Sequence, residues 1–359
     1  MKVFVGKKIL IISPEPWSHN FLSKHHYAIT LAKANNEVYF LNPPAQYTRR
    51  SSTGIDNVTL VNYRPLFRGL NKLPRMLSDF FWKIEIRRLL RLAAVKFDII
   101  WTFDPYRFQN LKLFKSNFIV YYAADVHKNK SLETVVANQA DVVLAPSDLV
   151  LNGVQNHTRK ARANHAVADY FFDVTPVLNT LPGSNKIKIG YVGNLDSKYL
   201  NLSLLLKTIE ANPDCDFMLV GNYENALAVN FAQPNVFLLG PLANKDLPGL
   251  LSHMDVLLLC YDTEQFWEQA SNSHKIMEYL STGKVTVSTR IAEYISRPDL
   301  VVMPDKNVDL PLLLKKVKDQ LHLYNAATQM KTRKDFALDH TYEKELERID
   351  IILSETLRK

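Results

Sequence analysis

Two stretches decide the fold: KKILIISPEPW at Lys7–Trp17 and NKIKIGYVGNLDSK at Asn185–Lys198. Each is a short apolar run that ends in a polar turn, and each precedes a stretch with helical spacing, at 21–33 and 200–211. A further apolar run follows each helix, EVYFLNPP in the first half and CDFMLVGN in the second. Strand, helix and strand in this order is the unit of a parallel sheet covered by helices. The chain therefore begins the same α/β structure twice.

The same pattern continues to the end of both halves. Short apolar runs that end in Asp, Gly, Ser or Pro are typical of buried parallel strands. These runs are NVTLVN, FDIIWTFDP, NFIVYYAAD and ADVVLAPS in the first half, and NVFLLGPL, MDVLLLCYD, KVTVST and LVVMPD in the second. The sequence predicts two Rossmann-like α/β domains with doubly wound parallel sheets, at 1–175 and 185–335, which face a central cleft. A charged amphipathic helix follows at 336–359.

Composition narrows the class of protein. The chain has 359 residues, which favours two domains, and 47% hydrophobic with 22% charged residues is ordinary for a soluble globular protein. No apolar run reaches the length of a membrane span. Cys215 and Cys260 have no metal-ligand spacing, which indicates a reducing cytoplasm. A net charge of +8 favours anionic partners. Nucleic acid is the weaker explanation because no recognised binding motif is present.

Glycines follow three successive strands of the second half. Ligands of doubly wound sheets lie beyond the carboxyl ends of the strands. Gly193, Gly221 and Gly240 each occupy such a position, where the absence of a side chain lets a ligand approach the backbone. The simpler alternative is that glycines commonly end strands.

The stretch SNSHKIMEYLSTGK at 271–284 predicts a binding site at the start of a helix. Asn272 or Ser273 can cap this helix and Gly283 can end it. Free N–H groups at Ser271 to Ser273 form a natural diphosphate site, and Lys275 adds a positive charge. Glu278 lies five residues past Ser273, about 7.5 Å along the axis at about 1.5 Å per residue, where its carboxylate can accept two vicinal hydroxyls. The alternative is an ordinary surface pair of Lys275 and Glu278 at i, i+3.

Taken together, these segments resemble the donor half of GT-B glycosyltransferases of the family 4 type, over about 186–305. The nearest in pattern are bacterial members that build teichuronic-acid-like, capsular or exopolysaccharide chains. The first half matches more loosely, through DIIWTFDP, ADVVLAPSDLV and NHAVADYFF. The last of these resembles the His-Gly-Val-Asp segment of the family.

The resemblance implies a glycosyltransferase that takes a UDP- or GDP-type sugar donor in its C-terminal domain and uses no further cofactor. Glu278 would hold the ribose and Ser271 to Ser273 the diphosphate, with Lys275 and Lys198 as candidates for phosphate charge. A glycan or lipid-linked acceptor would lie against the N-terminal domain, and the C-terminal helix would cross back onto that domain. Retention at the anomeric carbon is also implied.

Two positions depart from the family pattern. Family 4 members often carry two glutamates eight positions apart, but Ala270 stands eight before Glu278. The Arg that usually follows the first glycine of this half is Asn194. These departures favour a second hypothesis, a catalytically weak sugar-nucleotide-binding or scaffold subunit of a polysaccharide assembly complex. A nucleotide-sugar epimerase on the same fold is a third.

A metal site is not expected. Asp214-Cys215-Asp216 spells the Asp-x-Asp of metal-dependent glycosyltransferases, but it precedes a strand and therefore points away from the carboxyl edge. Fixed positive groups can meet the charge of a departing diphosphate instead of a metal ion.

The first half offers its own candidates. Asp125 and His127 follow a strand end and are candidate catalytic residues, with a helix cap and a loop histidine as the alternatives. The loop SPEPWSHNF supplies candidate substrate-binding residues, which are Trp17, Ser18, His19 and Asn20. A tryptophan that packs on its own domain explains Trp17 equally well. His26, in the following helix, is expected to pack.

A basic amphipathic segment at 73–96 combines aromatic residues and leucines with several Arg and Lys. Such a helix can lie on an anionic membrane surface. The alternative is a helix that packs its apolar face on the first sheet. The expected location is cytoplasmic, with possible peripheral contact to the inner face of the membrane.

Overall fold

The computed structural model describes residues 3–18, 21–67, 69–155, 157, 159–173, 181–224 and 229–358. Contacts divide the chain into two compact units. Unit 1 comprises 1–164 and 342–359, and unit 2 comprises 165–341. The first unit thus ends before the expected limit at 175, and the C-terminal helix belongs to it.

Within the described part of unit 1, eight strands form one sheet. The strands are β1 Lys8–Ile12, β2 Glu37–Leu41, β3 Arg49–Ser52, β4 Val58–Asn62, β5 Ile99–Thr102, β6 Phe118–Tyr122, β7 Val142–Ala145 and β8 Lys160–Arg162. Their order is β3-β4-β2-β1-β5-β6-β7-β8, and every pair is parallel except β3 with β4. The order in which the chain adds strands changes direction between β1 and β5. Ligands of this architecture bind at such a point.

The helices of unit 1 are α1 Ser23–Lys33, α2 Arg75–Ala93, α3 Lys130–Ala137, α4 Asp148–Gly153 and, from the C terminus, α11 Tyr342–Arg358. Helix α2 buries Trp82, Ile86 and Leu89 at helical spacing in the core, while most of its basic residues are exposed. Helix α11 is held by a hydrogen bond from the Phe4 N–H to Asp350 Oδ1 (2.9 Å).

Among the described residues of unit 2, six strands form a fully parallel sheet. They are β9 Ile187–Val192, β10 Cys215–Val220, β11 Val236–Gly240, β12 Val256–Leu259, β13 Val285–Ser288 and β14 Val301–Val302, in the order β11-β10-β9-β12-β13-β14. This is the 3-2-1-4-5-6 order of dinucleotide-binding sheets. The strand order changes direction between β9 and β12, so the loops after these two strands border the predicted ligand edge.

The helices of unit 2 are α5 Leu202–Glu210, α6 Leu247–Ser252, α7 His274–Ser281, α8 Leu310–Asp319, α9 Leu321–Tyr324 and α10 Ala327–Leu338. Helix α5 begins where the Asn201 side chain accepts the Leu204 N–H (3.0 Å) and buries Leu205 and Ile209. Helix α7 ends at Ser281, and Gly283 follows with φ +76°, as predicted. All the strands expected from sequence are present in both units.

Candidate functional site

The three glycines meet at the carboxyl edge of the second sheet. The Gly193 N–H donates to the Val220 carbonyl (2.8 Å) and the Gly221 N–H to the Gly240 carbonyl (2.9 Å). Gly221 has φ +145°, and a Cβ there would overlap the Gly193 carbonyl oxygen. A Cβ on Gly193 would lie 3.2 Å from Cε of Lys275. Only glycine fits at position 221, whereas a Cβ at position 193 would press on the ends of the Tyr191 and Lys275 side chains.

Helix α7 starts at this edge without the side-chain cap predicted from sequence. Ser273 is the residue that precedes the helix, in extended conformation (φ −135°), but its hydroxyl accepts no helix N–H. Instead, Ser273 Oγ lies 3.4 Å from the Tyr261 hydroxyl. The prediction that Asn272 or Ser273 caps the helix through its side chain is therefore wrong. The start of a helix favours a nearby anionic group.

Lys275 projects from the first turn of α7 into the same place. Its Nζ lies 3.3 Å from the Tyr261 hydroxyl and 5.9 Å from the centre of that ring. Burial disfavours the charged ammonium, but Tyr261 and Glu278 outweigh it, and the pKa of Lys275 is raised. The side chain therefore carries a full positive charge near neutral pH, next to Gly193.

Glu278 lies one turn further along α7 and is partly exposed. Across the described residues, no hydrogen bond or ion pair engages its carboxylate. The alternative of a surface ion pair with Lys275 is therefore wrong, since the two side chains do not meet within 4.0 Å. Burial raises the pKa of Glu278 to about 7, although Lys275 opposes that shift. An unengaged carboxylate in a poorly solvated place is suited to accept hydroxyl groups from a ligand.

Tyr261 was missed by sequence reasoning. It follows β12, at the point where the strand order changes direction. Its hydroxyl is within 3.4 Å of both Ser273 Oγ and Lys275 Nζ. The available signal was its position as the first aromatic residue after the strand MDVLLLC. The sequence alone could not show that the ring turns toward α7.

Other predicted donor residues lie at the same edge with different partners. Asn194 is exposed, and its Oδ1 accepts the Asp196 N–H in a tight turn (3.0 Å). Lys198 is exposed and stands 5.0 Å above the Tyr199 ring. The Ser271 carbonyl accepts the Glu293 N–H (3.1 Å). The structure thus brings Ser273, Lys275 and Gly193 together with Tyr261, while Asn194 and Lys198 have local partners of their own.

Ala270, which stands where the family pattern often has a glutamate, is buried (1% exposed). Its N–H donates to the Phe266 carbonyl (2.8 Å), so the segment before α7 is a packed turn. A methyl group at this position offers no polar atom to a donor sugar. Asn272, two residues on, is partly exposed.

The Asp-x-Asp segment is structural. Asp216 is buried in strand β10, where it pairs with Lys188 Nζ (2.6 Å) and accepts the Asn185 N–H (2.9 Å). Asp214 is exposed and pairs with Lys318 Nζ (2.7 Å). Within the part of the chain that the structure describes, no cluster of three or more His, Cys, Asp or Glu is arranged to hold a metal ion.

In unit 1, the two candidate catalytic residues follow β6. Asp125 is exposed, and its Oδ1 accepts the Val126 N–H (2.7 Å). His127 packs edge-on against Tyr106 with ring centres 5.4 Å apart, and its Nε2 has no hydrogen-bond partner among the described residues. Burial lowers the pKa of His127, against the opposing effect of Glu133. The imidazole is therefore neutral at pH 7, and its Nε2 atom is buried.

The candidate substrate-binding residues in the loop after β1 differ in their surroundings. Trp17 is half-buried and packs on Phe40 and His25, with ring centres 4.9 and 5.5 Å away, so it contacts its own unit. Ser18 is exposed, whereas His19 and Asn20 lie outside the described residues. His26 packs as predicted, stacked on Tyr342 at 4.7 Å, and burial lowers its pKa to about 3.

Unit 1 also contains a cavity of about 320 Å³ that no motif predicted. Its lining residues come from the loops after β2, β4 and β5 and from α2, and they are Pro44, Tyr63, Pro65, Phe67, Gly69, Leu70, Asn71, Trp82, Glu85, Tyr106, Arg107 and Phe108. Tyr106, which contacts His127, is part of this wall.

Comparison with solved structures defines the fold of the chain. The chain is similar to a sucrose-phosphate synthase from Thermosynechococcus elongatus (TM-score 0.76, 13% identity, 98% of this chain and 99% of that chain). It is also similar to Anabaena HepE in complex with UDP and glucose (0.67, 14%, 97% and 100%). A third is WaaG, a glycosyltransferase involved in lipopolysaccharide biosynthesis (0.66, 13%, 96% and 99%). At these identities the likeness defines the fold, which is GT-B.

Part of unit 2 is similar in sequence to a known family. Residues 186–319 match the family profile described as Glycosyl transferases group 1. The matched segment lies in the second unit, and the fold of the chain is GT-B. A comparison with curated protein sequences gave no significant match.

Proposed function

We propose that this glycosyltransferase moves a sugar from a nucleoside-diphosphate donor, of UDP or GDP type, to a glycan or lipid-linked acceptor in cell-surface polysaccharide synthesis. Unit 2 binds the donor and unit 1 the acceptor. The reaction uses no metal ion and retains the anomeric configuration, in line with the resemblance to family 4.

The observation that carries the donor assignment is the unengaged carboxylate of Glu278, one turn after the charged Lys275 on α7. The N-terminal end of α7 and Lys275 attract the diphosphate. Glu278 accepts the two ribose hydroxyls, as a carboxylate with both oxygens available can. Tyr261 orients Lys275 through the 3.3 Å contact of its hydroxyl.

These groups also supply the chemistry of the leaving group. In the transfer, the bond between the anomeric carbon and the diphosphate oxygen breaks, and a bond from that carbon to an acceptor oxygen forms. Negative charge develops on the diphosphate, where Lys275 and the helix start stabilise it. The proton of the acceptor hydroxyl passes to the departing phosphate or to a basic side chain. The neutral His127 and the neighbouring Asp125 are our candidates for contact with that hydroxyl.

Three of the structural relatives support the details. HepE was crystallised with UDP and glucose, and a trehalose-6-phosphate protein from E. coli with UDP-2-fluoro glucose, which favours uridine as the base. The lipopolysaccharide role of WaaG supports a cell-surface product.

The proposed location is cytoplasmic, at the inner face of the membrane. No helix in the described ranges combines the length and apolar character that crossing a bilayer requires. Met76, Leu77 and Phe80 on α2 are exposed (88%, 52% and 59%) among basic residues, which suits adsorption to an anionic surface. Co-sedimentation with vesicles of phosphatidylcholine, with and without phosphatidylglycerol, tests this. Binding that does not depend on the anionic lipid would contradict it.

A thermal-shift panel of nucleoside diphosphates and their sugars tests the donor assignment. We expect UDP or GDP and the matching sugar to stabilise the protein, and Glu278→Ala to remove most of the shift. Glu210→Ala, at the exposed far end of α5, is the matched control and should keep the full shift. An unchanged shift in Glu278→Ala would sink the ribose assignment.

Product analysis separates the enzyme from the other two hypotheses. Transfer to an acceptor or slow donor hydrolysis supports the glycosyltransferase. Nucleotide binding with neither reaction supports the scaffold subunit, which the apolar Ala270 favours. An epimerised nucleotide sugar without acceptor supports the epimerase.

A further inference from the structure

The cavity of unit 1 is lined mostly by apolar and aromatic groups. Its two charged members are already engaged by the protein. The Arg107 guanidinium donates to the carbonyls of Asn42 and Ser13 (both 2.6 Å) and pairs with Asp104 (3.3 Å). Glu85 is 4% exposed, and its Oε1 accepts the Leu66 N–H (2.7 Å). Few groups remain to read hydroxyls, so the cavity suits an apolar ligand better than a sugar ring.

Exposed apolar side chains continue outward from the cavity. Phe67, which lines it, is 40% exposed and packs edge-on against Phe81 at 4.8 Å. Phe81 in turn contacts Phe80 at 5.4 Å. Leu66, Met76 and Leu77 add further exposed apolar surface. The entry to the cavity and the apolar end of α2 therefore form one continuous surface, which a monomeric protein rarely leaves exposed without a function.

Charge complements this surface. The segment 64–96 contains nine Lys and Arg and two Asp and Glu, an excess of seven positive charges in a chain whose total is +8. Of the two acids, Glu85 is buried. The segment that carries the apolar entry thus has a high net positive charge, which favours an anionic amphiphile as occupant.

We infer that the cavity binds the lipid chain of an acceptor that is a lipid phosphate, next to its anionic headgroup. This inference rests on the proposed function and names its acceptor class. The chain enters from the membrane beside Phe67, and exposed cations of the segment, such as Arg64 and Lys72, contact the phosphate. Tyr106 connects the cavity wall to His127, so the reacting end of the acceptor lies on the side of the candidate catalytic loop.

Farnesyl phosphate, used below its micelle concentration, is the probe, and quenching or enhancement of tryptophan fluorescence reports binding because Trp82 forms part of the wall. Asn71→Trp fills the cavity from an exposed position, and Phe67→Ala removes an apolar wall. We expect each to weaken farnesyl phosphate binding at least 10-fold, with isothermal titration as the readout for Asn71→Trp. Leu338→Ala, an exposed apolar residue of unit 2, is the control and should bind normally.

Three results would overturn the inference. One is equal binding in wild type and Asn71→Trp. Another is full competition by inorganic phosphate, which would indicate a simple anion site. A third is an equal loss in Arg91→Glu, an exposed residue near the opposite end of α2, because the probe would then only adsorb to the helix. The nucleotide shift is measured in the same variants. If the nucleotide still shifts the Tm but farnesyl phosphate does not bind, only the cavity proposal is rejected. If the nucleotide gives no shift in wild type, the donor assignment is rejected.

Discussion

Replacing Glu278 by Gln should stabilise the ligand-free protein above pH 7 while weakening its affinity for a nucleoside diphosphate. Burial raises the pKa of Glu278 from 4.5 to about 7, with Lys275 opposing. Between these two values the native state keeps a proton that the unfolded chain releases. The free energy of unfolding therefore falls as pH rises through this window, and the loss is complete above pH 7.

The size of the effect follows from the pKa. A shift of about 2.5 units at about 1.36 kcal/mol per unit sets a ceiling of about 3 kcal/mol. Because the carboxylate is partly exposed, solvent screens it, and we expect about 1–2 kcal/mol. For a unit of this size, that is a rise in Tm of roughly 2–8 °C for Glu278→Gln at alkaline pH.

Thermal denaturation across this pH range compares wild type, Glu278→Gln and the control Glu210→Gln. The Tm difference should be near zero at pH 4.5, where both forms of residue 278 are neutral, and should reach its full value above pH 7. Titration calorimetry with UDP and GDP at alkaline pH should show at least a ~10-fold loss of affinity, the cost of about 1.4 kcal/mol of ligand contact. A variant no more stable than wild type at high pH, or equally stabilised at pH 4.5, would refute the reasoning.

Three further substitutions test neighbouring parts of unit 2. Gly221→Ala should cost more than about 3 kcal/mol in urea denaturation, or prevent folding, because its Cβ overlaps the Gly193 carbonyl. Asp216→Asn should cost about 1.5–3 kcal/mol because it removes the charge-assisted hydrogen bond between the buried Asp216 carboxylate and Lys188, and activity should stay insensitive to chelators. Tyr261→Phe should weaken UDP binding about 10-fold, a loss of about 1.4 kcal/mol, and leave uridine binding unchanged, because it disturbs the diphosphate end alone.

Each of these has a control. Gly54→Ala also sits at positive φ (+82°) but in open space, so it should cost only about 1 kcal/mol. Asp214→Asn removes the exposed pair with Lys318 and should cost less than about 1 kcal/mol. If Asp214→Asn destabilises as much as Asp216→Asn, the structural assignment of the segment is wrong. Uridine binding that falls with UDP binding in Tyr261→Phe would contradict the diphosphate role.

The parallel strands could be predicted because each is a buried apolar run that ends at a turn residue. Two strands could not. Strand β3, RRSS, is an exposed antiparallel edge without apolar alternation, and β8, KAR, is only partly buried. Burial provides the periodic signal, so strands that lie at an edge carry little of it.

The candidate site was predictable to the level of the helix but not of the side chains. Its position followed from the glycines at strand ends and from the small polar residues before α7. Whether Lys275 pairs with Glu278 or with Tyr261 depends on rotamers and on the loop after β12, which no local pattern encodes. Trp17 illustrates the same limit, since it lies in a loop but packs against Phe40 and His25 of its own unit. The unit 1 cavity is assembled from separate loops and has no motif.

The return of α11 to unit 1 has a consequence for biosynthesis. Unit 2 is a single uninterrupted stretch, but unit 1 lacks its last helix until Tyr342 and the residues after it are made. At roughly 5–20 residues per second, this is a wait of about 10 to 35 s after Asn164 leaves the ribosome. During it, His26 and Tyr27 lack Tyr342, and the Phe4 N–H lacks Asp350. The unit that begins first at the ribosome is therefore completed last, and a message truncated before codon 342 yields a finished second unit attached to an open, aggregation-prone first one.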